Sequence, residues 1–112
     1  MKLHDVKTIL SAEVLAVENE LEREVLSAFG CDLMSDVLAF VDEQALLLTG
    51  LVNPQVVRTA EMMDMKAIVF VRGKEPTEEI LEIAKDANIV VMKTDMTLYN
   101  ACGKLYAKGL CN

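Results

Sequence analysis

The sequence contains little of the chemistry on which most metal sites and nucleophilic enzymes depend. It has one histidine (His4), three cysteines (Cys31, Cys102 and Cys111) and no tryptophan. Because the cysteines form no C-x-x-C pair, neither a zinc site nor a disulfide framework is predicted, and reduced thiols in a cytoplasm are expected. A single histidine near the N-terminus also leaves the cysteines without a base. We therefore predict no metal, no cofactor and no catalytic residues.

Phosphate-binding and hydrolase motifs are absent as well. Gly73-Lys74 is followed by Glu75 instead of Ser or Thr, and Ile68 stands where a P-loop requires its first glycine. Neither G-x-G-x-x-G nor G-x-S-x-G occurs. These absences indicate a protein that is not an enzyme.

Long apolar stretches and excess positive charge are also missing. No run approaches the roughly 18 to 20 apolar residues of a membrane-spanning helix, and no secretory signal follows Met1. The net charge of −7 repels a nucleic-acid backbone. We expect a cytoplasmic protein with neither a membrane nor a nucleic acid as its partner.

The 53% of hydrophobic residues is organised by a repeat. Apolar runs cover residues 45–48, 67–71 and 89–92, so that successive runs begin 22 residues apart (45, 67 and 89). Each run is short and continuous, which is typical of a strand buried on both faces. The repeat predicts three neighbouring parallel strands.

Helical patterns follow each of these strands. Asn53-Pro54 combines a capping residue with proline at the first helical position. A second amphipathic segment follows Pro76, and a third follows Thr94-Asp95 and ends at Gly109. Crossover connections of one hand place the start of every helix beside the carboxyl ends of the strands.

The first 44 residues predict the remainder of the sheet. A short helix over residues 3–10 precedes apolar segments at 14–17 and 25–29, and Asp32 is placed to cap a further helix. We predict a three-layer α/β/α fold with a mostly parallel sheet, built from three consecutive strand–helix units plus an N-terminal strand pair. No linker interrupts the chain, so one domain over residues 1–112 is expected.

Several segments resemble the DRTGG domain family. They are residues 49–53, 67–71, 76–80 and 90–97, together with the upstream stretch CDLMSDVL at 31–38. The string D-R-T-G-G itself is absent, since Thr49-Gly50 is followed by Leu51. The resemblance implies a fold similar to the N-terminal domain of HPr kinase/phosphorylase. It also implies an accessory module that regulates or dimerises, because family members occur alone, beside CBS domains or attached to enzymes.

Polar residues converge where the three predicted strands end. Ligands of parallel sheets bind at this edge, where helix N-termini favour anions, and Arg72 offers a bidentate partner for phosphate or carboxylate. A nucleotide or phosphorylated metabolite is the expected ligand, while helix capping and turn formation are the alternative roles. The predicted ligand-binding residues are Thr49, Gly50, Asn53, Arg72, Gly73, Thr94, Asp95 and Thr97.

A second group of residues predicts an interaction surface. Asp32, Ser35 and Asp36 fall within one helical turn, and Met62 and Met65 lie off the buried stripe of their helix. A homodimer is the expected assembly. The leading hypothesis is therefore a dimeric, non-catalytic regulatory module that senses a small anion. The alternatives are a pure interaction or dimerisation subunit of a metabolic or redox complex and, last, an enzyme acting through Asp or Thr groups.

Overall fold

The computed structural model describes residues 1–111 as an alternation of short strands and helices. A single turn of 3-10 helix, Glu18–Glu20, separates the first two strands. In chain order the elements are α1 (Leu3–Leu10), β1 (Glu13–Ala16), β2 (Ser27–Gly30), α2 (Met34–Phe40), β3 (Ala45–Thr49), α3 (Pro54–Met62), β4 (Ala67–Phe70), α4 (Glu78–Asp86), β5 (Val90–Lys93) and α5 (Leu98–Ala107).

The strands form one five-stranded sheet in the order β1-β5-β4-β3-β2. Strands β2 to β5 are parallel, whereas β1 runs antiparallel to β5. Every residue of β3 and β4 is buried, because these central strands are covered on both faces. The predicted α/β fold with a mostly parallel sheet is thus confirmed, and the three repeated strands lie within one or two residues of their predicted bounds.

The expectation of an N-terminal strand pair is wrong in its placement. Both strands exist, but β1 lies at one edge beside β5 and β2 lies at the other beside β3. The reason is that β2 opens a further strand–helix–strand unit with α2 and β3, which requires a parallel neighbour. Val25 and Leu26, predicted as strand, precede β2 and donate hydrogen bonds to the carbonyl oxygens of Met1 and Gln44.

The helices divide between the two faces of the sheet. Helices α2, α3 and α4 contribute to the apolar cluster on one face, and α1 and α5 contribute to the cluster on the other. Strand β3 contributes to both clusters because successive side chains point to opposite faces. Leu47 belongs to the cluster with α2, α3 and α4, and Leu46 and Leu48 belong to the cluster with α1 and α5. Because β2 to β5 advance in one direction, crossovers of one hand place all their connecting helices on the same face.

Side chains cap three of the helices at the edge where the parallel strands end. The Asn53 side chain accepts from the Val56 amide at 3.1 Å at the start of α3, and Thr77 does the same for α4. At the start of α5, the Thr97 hydroxyl accepts from the Asn100 amide at 3.2 Å. These bonds satisfy amide groups that the first helical turn leaves without partners.

Arg23 forms hydrogen bonds at the opposite edge of the sheet, where β4 and β5 begin. Its Nη1 donates to the carbonyl oxygens of Lys66, at 3.0 Å, and Asn88, at 2.7 Å. Lys66 directly precedes β4 and Asn88 lies just before β5, so one guanidinium joins two strand entrances. Within residues 1–111, no helix has the length and apolar character needed to cross a bilayer.

Candidate functional site

The loops that leave the parallel strands meet at one edge of the sheet. We call this edge the carboxyl rim and define it as residues 31–33, 50–53, 71–77 and 94–97, which follow β2, β3, β4 and β5. All eight residues predicted to bind a ligand lie within or directly beside it. Their side chains, however, are used in different ways.

Two threonines at the ends of the strands, Thr49 as the last residue of β3 and Thr94 directly after β5, are buried and hydrogen-bonded. Thr94 Oγ1 donates to the Leu10 carbonyl oxygen at 2.7 Å, which fastens the end of α1 to β5. Thr49 Oγ1 donates to Asp32 Oδ1 at 2.9 Å. Both hydroxyls therefore serve internal structure, as is usual for buried hydroxyls.

Asp32 belongs to the carboxyl rim. Besides the bond from Thr49, its Oδ1 accepts from the Gly50 amide at 2.7 Å. The expectation that Asp32 caps α2 is wrong: the capping position is Leu33, and no side chain caps that helix. The register of β2 against β3, in which Gly30 lies opposite Leu48, brings Asp32 beside Gly50.

The loop after β4 adopts an uncommon backbone. Arg72 has a φ of 59° and Gly73 a φ of 66°, both in the left-handed region that side chains other than glycine seldom adopt. Their amides donate to the carbonyl oxygens of Met96, at 2.8 Å, and Thr94, at 2.9 Å. These bonds to the loop after β5 hold Arg72 in a conformation that costs about 1–3 kcal/mol when unsupported.

The Arg72 side chain reaches across the rim to the end of β3. A Cβ atom placed on Gly50 would lie 2.5 Å from Nη2 and 2.8 Å from Cζ of Arg72, so glycine leaves the space that the guanidinium occupies. Among residues 1–111, no carboxylate forms an ion pair with Arg72. Arg72 is thus an exposed cation that lies close to the Gly50 backbone, without an acidic partner among residues 1–111.

A second cation of this edge is already engaged. Lys93, the last residue of β5, forms an ion pair and hydrogen bond with Glu75 and lies 4.0 Å from Glu13. The hydrogen bond with Glu75 is the main reason that the pKa of Lys93 is raised above its ordinary value. Lys93 therefore has acidic partners that Arg72 lacks.

The other predicted ligand-binding residues fall into two groups. Asn53 and Thr97 are helix caps, so their side-chain oxygens are occupied by backbone amides. Asp95 is exposed beside Gly73, where its Oδ1 lies 3.1 Å from the position of an added Cβ. Thr49, Gly50 and Arg72 are the predicted residues that the fold gathers around Asp32.

The predicted interaction surface is only partly exposed. Met62 is 70% exposed and Ser35 is exposed, whereas Asp36 is half-buried near the Cys31 thiol. Met65 is 1% exposed, so its expected place on a surface is wrong. The chain turns back at Asp64, which has a φ of 56°, and directs Met65 into the cluster beneath α3.

Exposed apolar side chains that the periodicity did not predict lie on the segments next to β2, with those of α2 and α5 on opposite faces of the sheet. We call this set the β2 edge surface. Leu26 precedes β2, α2 follows it and α5 contacts it. Phe40 on α2 and Tyr106 on α5 are 68% and 67% exposed. The exposed side chains of this surface are Leu26, Leu33, Leu38, Phe40, Tyr99 and Tyr106.

The comparisons with known proteins agree with this architecture. The model of the DRTGG domain family matches residues 5–106, and the chain therefore belongs to that family. A search of curated proteins finds no match. The chain is similar to a solved structure of the CBS and DRTGG domains from the regulatory region of Clostridium perfringens pyrophosphatase, complexed with the activator diadenosine tetraphosphate.

That similarity has a TM-score of 0.75 at 21% sequence identity. It covers 93% of this chain and 45% of the pyrophosphatase chain, so this protein spans less than half of the structure that it matches. At such an identity the similarity concerns the fold. The expected resemblance to the DRTGG family is confirmed by the family match and by this shared fold.

Proposed function

We propose that the protein is a non-catalytic regulatory module of the cytoplasm that acts as a homodimer and binds a small anionic metabolite or nucleotide at the carboxyl rim. The observation that carries the proposal is the Arg72 guanidinium, which is exposed, held against Gly50 and without an acidic partner among residues 1–111. A guanidinium in this position presents several N–H donors in a planar arrangement that fits phosphate or carboxylate.

The charge distribution explains why Arg72 is central to the proposal. The net charge of −7 provides no long-range attraction for an anion, so local groups must supply it. The first turn of α3 contains no acidic residue, whereas that of α4 contains Glu78 and Glu79. The positive end of α3, close to Gly50, therefore remains favourable for an anion, while the end of α4 already has its own negative charges.

The structural neighbour supports both the regulatory role and the ligand class. Its CBS and DRTGG domains form a regulatory region that was solved with a dinucleotide activator. We extend only the class of ligand, a phosphate-containing nucleotide or metabolite, to this chain. The proposed contact with Arg72 rests on the geometry of the rim.

Thermal unfolding with added nucleotides tests the proposal. ATP, AMP and inorganic phosphate are added to the wild type, to Arg72→Ala and to the control Lys74→Ala, which removes an exposed cation from the same loop. Ligand at 100 times its Kd adds about 2.7 kcal/mol to stability, so Tm should rise by several degrees in the wild type and the control. Arg72→Ala should abolish this rise. An unchanged wild-type Tm with all three compounds would contradict the proposal.

The second candidate, an interaction or dimerisation subunit without a small ligand, is favoured by the β2 edge surface. Its aromatic side chains, Phe40 on α2 and Tyr99 and Tyr106 on α5, are 68%, 87% and 67% exposed, and exposed aromatic residues are enriched at protein interfaces. Its six side chains are uncharged, so two copies of an acidic chain can meet there without direct charge repulsion. Strand β2 also has one unpaired edge. We therefore propose a second copy of the chain as its occupant.

Sedimentation equilibrium of single variants tests this surface. Phe40→Asp should convert the dimer to monomer, because it buries a charge at the proposed interface. Met62→Asp is the matched control, since Met62 has almost the same exposure but lies on α3. A dimer that survives Phe40→Asp and dissociates in Met62→Asp would instead favour the surface predicted from the sequence. A monomeric wild type would contradict the homodimer.

A further inference from the structure

We infer that the ligand of the carboxyl rim carries a hydrogen-bond donor, a hydroxyl or an ammonium group, next to its anionic group, and that Asp32 is the residue that selects for this donor. The inference rests on the proposed function and makes its ligand class more specific. It depends on how Asp32, Gly50 and Arg72 are arranged across the ends of β2, β3 and β4.

One oxygen of the Asp32 carboxylate is fixed and the other is open. Both internal hydrogen bonds, from Thr49 Oγ1 at 2.9 Å and from the Gly50 amide at 2.7 Å, end on Oδ1. Within residues 1–111, no donor is hydrogen-bonded to Oδ2, and Asp32 is an exposed residue. A carboxylate accepts several hydrogen bonds. Asp32 is therefore an oriented acceptor with unused capacity.

The Arg72 guanidinium also lies against Gly50. No ion pair joins it to Asp32, so their charged atoms are more than 4.0 Å apart. Each contacts Gly50, Asp32 through the amide and Arg72 at the position of an added Cβ. Standard backbone dimensions then limit the distance between Oδ1 and Nη2 to about 8 Å. A separation in this range leaves room for one small ligand group to contact both.

The paired charges define the chemistry of that ligand. Its phosphate or carboxylate contacts Arg72 through charge-assisted hydrogen bonds, and a nearby hydroxyl or ammonium group donates to Asp32 Oδ2. Sugar phosphates, nucleotides and amino acids share this combination. A bare anion lacks the donor and also experiences the repulsion of the Asp32 carboxylate, which salt screens little at distances below the Debye length.

A pair of small phosphates separates the contribution of the hydrogen-bond donor from that of the anionic group. Glycerol 3-phosphate carries hydroxyl donors and methyl phosphate does not, and NMR titration of the wild type measures weak binding of both. A hydrogen bond to a charged acceptor is worth a factor of about 10 or more in affinity. We expect glycerol 3-phosphate to bind at least about tenfold more tightly than methyl phosphate. Equal affinities would overturn the inference without any variant.

Asp32→Asn then tests whether Asp32 produces the preference. Its amide oxygen can still accept from Thr49 and Gly50, but a donor replaces the open acceptor and the negative charge is lost. The ratio of the affinities for glycerol 3-phosphate and methyl phosphate should fall toward one. Methyl phosphate should bind more tightly than it does to the wild type. Asp36→Asn is the control and should keep the wild-type preference, because among residues 1–111 Asp36 has no hydrogen bond to Gly50 and no ion pair with Arg72. A preference that persists in Asp32→Asn would overturn the assignment.

Arg72→Ala distinguishes the two proposals. If both phosphates bind with equal affinity and lose binding in Arg72→Ala, the proposed anion site stands and the role of Asp32 falls. If neither phosphate binds the wild type, or if Arg72→Ala binds them unchanged, the proposed function itself fails and the inference fails with it.

Discussion

Two arginines at opposite ends of β4 show how the same side chain is used for different purposes. Arg23 lies at the amino end with 16% of its side chain exposed and donates to two backbone carbonyl oxygens. Arg72 follows the carboxyl end, is exposed and has no acidic partner within residues 1–111. The carbonyl oxygens before β4 and β5 point to Arg23, whereas the rim satisfies its backbone groups with neutral caps and with Asp32. Arg23 stabilises the fold, and Arg72 is left available.

The largest expected difference is in stability. Arg23→Ala removes two hydrogen bonds from a charged donor, and we expect the free energy of unfolding to fall by about 2–3 kcal/mol in urea denaturation. Arg72→Ala should change it by less than about 0.5 kcal/mol, as is usual at exposed positions. Arg23→Lys serves as the control, because it keeps the charge but not the two-carbonyl contact. Equal losses for Arg23→Ala and Arg72→Ala would remove the distinction between the two ends.

Glycine substitutions sharpen the contrast at the rim itself. In Gly50→Ala the new Cβ displaces the flexible end of Arg72, so ATP binding should weaken at least about tenfold, a change of 1.4 kcal/mol or more. Gly103→Ala places a Cβ in open space on α5, where we expect about 0.5–1 kcal/mol of stabilisation and unchanged binding. Calorimetric titration and thermal unfolding measure both quantities. Normal ATP affinity in Gly50→Ala would show that the position of Arg72 over Gly50 does not matter.

The smallest expected effect concerns Lys93, the engaged cation of the same edge. Its pKa is raised mainly by the hydrogen bond with Glu75, so its contribution to stability is present below the ordinary lysine pKa and is lost as pH rises through the raised value. Glu75→Gln should lower the pKa of Lys93 toward that of an ordinary lysine, as followed by NMR titration. Stability near neutral pH should change little, because the pair lies at the surface. An unchanged pKa would mean that Glu75 is not the partner in solution.

Local patterns predicted the centre of the sheet and the start of its helices. Continuous apolar runs are typical of strands covered on both faces, and β3, β4 and β5 are those strands. The caps at Asn53 and Thr97 follow from residue type and position alone. The eight predicted ligand-binding residues lie within or beside the rim because parallel strands place their carboxyl ends at one edge.

Features that depend on pairing between distant segments were missed. The four-residue strands β1 and β2 carry no local signal for the edge that each occupies. Asp32 looks like a helix cap until β2 is placed in register with β3, and only then does it face Gly50. Met65 did not fit the buried stripe of α3 because that helix ends at Met62, before Met65.

An NMR titration of the protein with ATP tests the central claim most directly, because the amide signals of Gly50, Arg72 and Gly73 report on the rim. We expect these signals to shift saturably in the wild type and in Lys74→Ala, and we expect the Gly50 and Gly73 signals to stay unchanged in Arg72→Ala. Saturable shifts that persist in Arg72→Ala, or a wild type in which the rim signals do not move, would contradict the role assigned to Arg72.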